Sequence, residues 1–90
     1  MFILTIHGKE TEGAYSVQND QGENVLYLFE QEDDAIRYAM MLEDSGSPKM
    51  HVIEVEDEVM IKTCESHEYN YAVITPDDIV VPPTTKHDYI

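Results

Sequence analysis

Tryptophan is absent from this chain, and cysteine and arginine occur once each. The single cysteine, Cys64, excludes an internal disulfide and points to a reducing compartment. Basic residues are scarce: five Lys and Arg stand against nineteen Asp and Glu, for a formal net charge of -14. With so few cations there is no footprint for phosphates, which excludes direct duplex nucleic-acid binding and disfavours anionic membrane surfaces. No apolar run approaches the ~18–20 residues of a membrane span. The opening Met1-Phe2-Ile3-Leu4-Thr5-Ile6-His7 lacks the basic region and long apolar stretch of a signal peptide, so the cytoplasm is the expected location. Also missing are a phosphate-cradling Gly-rich loop and a Ser-His-Asp order. No cofactor is implied.

What is present suffices for one small folded domain. The chain has 90 residues, of which 42% are hydrophobic. That apolar content argues against disorder, which needs low hydrophobicity together with high charge. The excess of carboxylates opposes compaction by self-repulsion, so stability is expected to rise with salt.

Phe2 to His7 is β-branched and aromatic and reads as a strand. Ala14 to Val17 is a second, and Val25 to Phe29 a third after the turn cluster Asn19-Asp20-Gln21-Gly22. The spacing of Ala35, Tyr38, Ala39 and Leu42 predicts a helix over Asp33 to Asp44, with Ile36 and Met40 widening its apolar stripe. Asp33 and Asp34 are expected to cap its start, and Gly46 and Pro48 to end it. His51 to Val55 reads as a fourth strand, about Asp57 to His67 as a second helix, and Tyr71 to Ile74 as a fifth strand. The order β-β-β-α-β-α-β is α+β. Its economical arrangement is ferredoxin-like or a close variant, one sheet with both helices on one face. Residues 1–76 form the expected domain and 77–90 an extended C-terminal tail, in which Ile79-Val80-Val81 is a candidate edge strand.

The run Leu28-Phe29-Glu30-Gln31-Glu32-Asp33-Asp34-Ala35-Ile36-Arg37-Tyr38-Ala39 resembles the signature of the domain of unknown function 3110 family. Glu12-Gly13, Met41-Leu42-Glu43, Cys64-Glu65-Ser66 and Pro82-Pro83 add to the resemblance, which covers roughly residues 2 to 83. That family is found in cyanobacteria, plastid-bearing plants and some cyanophages, so the resemblance implies a photosynthetic cell or its virus. It carries no established activity. The chain departs from the family pattern at His67-Glu68, where Ala-Gly is usual. A glycine there would end the helix in the left-handed region without steric cost. Glu68 must adopt that conformation at about 1 kcal/mol or end the helix differently.

Several clusters are candidates for chemistry. Cys64 and His67 have a Cys-x-x-His spacing and share a helix face, as two ligands of a metal would, with His7 or His51 as further ligands. The alternative is that Cys64 is a small core hydrophobe and His67 an exposed helix end. Cys64 is a poor nucleophile, because it lies late in its helix beside Glu65 and Glu68, which raise the thiol pKa. Glu30, Glu32, Asp33 and Asp34, and likewise Glu54, Glu56, Asp57 and Glu58, read as solvated helix starts and lack the order of a calcium loop.

Arg37 follows Asp33 by four residues and Asp34 by three, so an ion pair is available. Arg37, Tyr38, Asp33 and Asp34 form the candidate interaction site, although Tyr38 also fits the core stripe. Tyrosines at alternate strand positions suggest a protein-binding sheet face. The sequence therefore favours a non-catalytic protein-interaction or regulatory module with a protein partner. A small-ligand or metal-binding domain using Cys64 and His67, with or without enzymatic activity, is the alternative. Pairing of two copies through a sheet face or edge is left open.

Overall fold

β-Branched and aromatic residues build the first three strands, β1 (Phe2–Ile6), β2 (Tyr15–Gln18) and β3 (Asn24–Phe29). They are followed by α1 (Glu32–Asp44), β4 (Met50–Glu54), α2 (Asp57–Ser66), β5 (Asn70–Ile74) and β6 (His87–Tyr89). The computed structural model describes residues 1–8, 13–78, 80 and 82, and the backbone of 87–89. The candidate strand at Ile79-Val80-Val81 therefore falls largely outside the described residues. β6 pairs antiparallel with β2, adding a short strand from the C-terminal segment to the sheet.

β3 is the hub of the sheet. Along one edge it pairs in parallel with β5, from Val25 opposite Asn70 to Phe29 opposite Ile74. Its other edge is shared, with β2 along Asn24 to Leu26 and β1 at Phe29. β4 lies antiparallel against the far side of β1. Because β1 runs opposite to both β3 and β4, the strands β3, β4 and β5 all point the same way.

The fold is α+β, with the expected order of strands and helices and consistent with a ferredoxin-like variant. The helices, however, lie on opposite faces of the sheet, not on one. Strand alternation shows this directly. Leu4, Phe29 and Met50 form a core with Ala35, Tyr38, Ala39 and Leu42 of α1. Their neighbours on the other face, Ile3 and Leu28, form a second core with Cys64 of α2, against which Ile53 packs. Directional crossover explains the difference. α1 carries the chain from β3 across β1 to β4, whereas α2 carries it back from β4 to β5. Two crossovers of the same right hand but opposite direction place their helices on opposite faces.

α1 buries Ala35, Tyr38, Ala39 and Leu42, as its periodicity predicts. Ile36 and Met40 do not widen that stripe, since they are 41% and 55% exposed. The helix starts also differ from expectation. Gln31 and Glu56 occupy the N-cap positions, and neither makes a side-chain capping bond. Asp33 and Asp34 sit inside the first turn of α1, where the helix dipole favours negative charge.

Both helices end in the same hydrogen-bonded motif. At the end of α1, Ser47 N–H donates to Leu42 O at 3.0 Å and Gly46 N–H to Glu43 O at 3.0 Å. At the end of α2, Tyr69 N–H donates to Cys64 O at 2.8 Å and Glu68 N–H to Glu65 O at 3.3 Å. This is the Schellman pattern, whose turn residue is left-handed. Gly46 fills that place at φ 96° and Glu68 at φ 57°. The departure from glycine at Glu68 is thus accommodated by a strained glutamate, with the helix ending unchanged.

Candidate functional site beside the first helix

The recognisable acidic run folds into the start of α1, and its side chains separate by helical geometry. Tyr38 turns inward and is 1% exposed. Its hydroxyl lies 3.0 Å from that of Tyr15, and its ring meets those of Tyr15, Tyr27 and Phe29 at centroid distances of 5.5, 5.7 and 5.5 Å. Burial, then the Tyr15 hydrogen bond, raises the Tyr38 phenol far above its ordinary range. Tyr38 is therefore a core aromatic, and it reaches a surface contact only as the floor beneath other groups.

Arg37 points outward, and the nearly covered Asp34 lies beside it. The guanidinium Nη2 donates to Asp34 Oδ1 at 3.1 Å, so the available ion pair forms with Asp34. The arginine side chain remains 66% exposed while that of Asp34 is only 13% exposed. The second carboxylate oxygen, Asp34 Oδ2, is buried and has no hydrogen-bond partner among the described residues. Asp33 is exposed in the same turn.

These groups border a cavity of about 150 Å³ between α1 and the chain leaving β5. Its polar lining is Asp34, Arg37 and Asp78, and its apolar lining Tyr38, Met41, Ile74 and Val80. Asp78 is fixed by the turn after β5. Its Oδ2 accepts from Thr75 N–H at 2.8 Å and Thr75 Oγ1–H at 3.0 Å, and its own N–H donates to Thr75 O at 3.0 Å. The two bonds from Thr75 hold the Asp78 carboxyl below the usual carboxylate range. The cavity lies outside the carboxyl end of β5, the end of a parallel strand at which ligand crevices recur.

Sequence reasoning found Asp34, Arg37 and Tyr38 but missed Asp78, Met41, Ile74 and Val80 as their neighbours. The signal for Asp78 was readable in Thr75-Pro76-Asp77-Asp78, a turn in which an Asp side chain bonds backbone. That this turn meets α1 is a tertiary fact.

The alternative constellation is not assembled. Cys64 is fully buried beside Ile3, Ala14, Leu26 and Leu28, and His67 is exposed and stacked on Tyr69 at 5.3 Å. Burial, then Glu65, pushes the Cys64 thiol up, which disfavours the thiolate that a metal or an electrophile needs. His7 and His51 do approach each other, with ring centroids 6.0 Å apart. Among the described residues no three His, Cys, Asp or Glu side chains come together to hold a metal ion. Of the tyrosines, Tyr69 and Tyr71 are exposed, while Tyr15 and Tyr38 belong to the core. No described helix is long and apolar enough to cross a membrane.

A family model described as Domain of unknown function (DUF3110) matches residues 1–84. The chain belongs to the DUF3110 family. No curated protein and no solved structure matches it. Within this DUF3110 chain, the acidic run that carries the resemblance supplies Asp34, Arg37 and Tyr38 to the lining of the cavity beside α1.

Proposed function

We propose that this DUF3110 protein is a non-catalytic interaction or regulatory module, working through a protein partner in a photosynthetic cell or its virus. The outward side of α1 supports that reading. There the chain's one arginine stands between two different surfaces. Ile36 and Met40, one turn apart, emerge on one flank of the helix, and the cavity at Asp34 and Met41 opens on the other. Arginine and methionine are enriched at protein interfaces, and an arginine with apolar neighbours is a common energetic anchor. The photosynthetic setting rests on the family resemblance.

Affinity capture from a cyanobacterial lysate tests the proposal. Immobilised protein should retain a specific partner at low and moderate salt, and the variant Met40→Glu should lose it without a change in melting temperature. Recovery of no specific partner at either salt would sink the reading.

A further inference from the structure

We propose that the cavity beside α1 seats the side chain of a lysine or arginine from a basic partner segment, its stem against Met41, Ile74 and Val80 and its cationic head at the Asp34 and Asp78 carboxylates. The inference deepens the docking reading above and depends on it for the identity of the occupant as a protein.

Three observations select a basic side chain. The first is the mixed character of the lining, with apolar walls from Met41, Ile74 and Val80 and carboxylates from Asp34 and Asp78. Long basic side chains have the matching form, an aliphatic stem that buries and a charged head that seeks polar partners. The second is the Asp34 carboxylate, which is only 13% exposed and, among the described residues, is bonded through Oδ1 alone, to Arg37. A poorly hydrated carboxylate gains from a further charged donor beside it. The third is the field. A net charge of -14 and the neighbouring Glu32 and Asp33 attract cations to this end of α1.

Other occupants fit less well. An anion would have only Arg37, already bonded to Asp34 at 3.1 Å, against the surrounding carboxylates. An uncharged apolar group would cover the Asp34 and Asp78 carboxylates without supplying a donor. The volume of about 150 Å³ matches a cavity that admits a benzene-sized group, which suits one side chain and is too small for a nucleotide.

The test is a titration of isotopically labelled protein, followed by backbone amide shifts, with N-acetyl-lysine amide and N-acetyl-arginine amide as probes. N-acetyl-norleucine amide, which keeps the stem and lacks the charge, is the control. The basic probes should give saturable shifts confined to the amides of Arg37, Met41, Asp78 and Val80. Norleucine amide should bind at least about tenfold more weakly. Asp34→Asn should weaken the basic probes by about tenfold, and so should Val80→Phe, which fills the space and leaves both carboxylates in place. Glu58→Gln, on α2 across the sheet, should change nothing. Shifts spread over all acidic segments and unchanged in Asp34→Asn and Val80→Phe would mean diffuse charge attraction and would overturn the proposal. Equal binding of norleucine amide would also overturn it. The two readings fail separately. A captured partner that is lost with Met40→Glu but survives both Asp34→Asn and Val80→Phe removes only this inference. A saturable titration without any captured partner supports the pocket and removes the docking module.

Discussion

The two helices make a natural experiment, because they end alike and are held differently. α1 runs for 13 residues and sinks Ala35, Tyr38, Ala39 and Leu42 into one face of the sheet. α2 runs for 10 residues and fully buries only Cys64 on the other. Each closes with the same Schellman bonds, one on Gly46 and the other on a left-handed Glu68. A local signal is therefore not what distinguishes them. Helical stability in proteins comes mainly from the packing of an apolar face, and α1 has far more of it. α2 should be the region that opens first, with faster amide exchange than α1.

The largest effect should come from the better-packed side. Leu42→Ala removes a fully buried side chain and should cost ~2–5 kcal/mol, read by denaturant unfolding. On the α2 side, Cys64→Ser buries a hydroxyl among apolar neighbours and should cost about 1–3 kcal/mol. If Cys64→Ser proved the more damaging, the ranking of the two faces would be reversed. The native thiol should also react slowly with alkylating reagents until the protein is unfolded.

Alkaline pH probes both faces at once. Cys64 and Tyr38 have folded pKa values raised above their ordinary 9.0 and 10.0, mainly by burial. The folded state thus holds these protons more tightly than the unfolded chain. The stability they contribute is fully present below the ordinary values and is lost as pH rises through the raised ones. Melting temperature should fall above about pH 9, with Cys64→Val removing the earlier part of the decline and Tyr38→Phe the later part. A profile that stays level to about pH 11 would show that neither proton matters to folding.

Exchanging the turn residues sharpens the comparison further. Glu68→Gly relieves left-handed strain and should stabilise by about 0.5–1 kcal/mol, after allowing for the looser unfolded chain. Gly46→Ala places a side chain at φ 96° and should destabilise by about 1 kcal/mol or more. The same sign for both substitutions would show that the two endings are not equivalent. The smallest effect belongs to Arg37→Ala, which breaks an ion pair whose arginine is largely exposed and should cost about 1 kcal/mol or less. Added sodium chloride should nevertheless raise the melting temperature of the whole protein by screening its excess carboxylates.

Much of this molecule is decided along the chain itself. The period of Ala35, Tyr38, Ala39 and Leu42 determines a helix and which of its faces is buried, because those positions share one side of a 3.6-residue turn. Gly46 with Pro48 determines where it stops. The scarcity of Lys and Arg determines the field around the protein in any fold. Other features are set only when distant segments meet. Periodicity cannot say that Ile36 and Met40 stay exposed, since that depends on where the sheet beneath α1 ends. Nor can it place α2 on the opposite face, which follows from the direction in which each crossover returns to the sheet. The cavity is the clearest case. Asp34 and Asp78 stand 44 positions apart in the sequence, and no local pattern links a helix start to the turn after a later strand. Parallel pairing of β5 with β3 brings them together, because it aligns the carboxyl end of β5 with the end of β3 from which α1 begins.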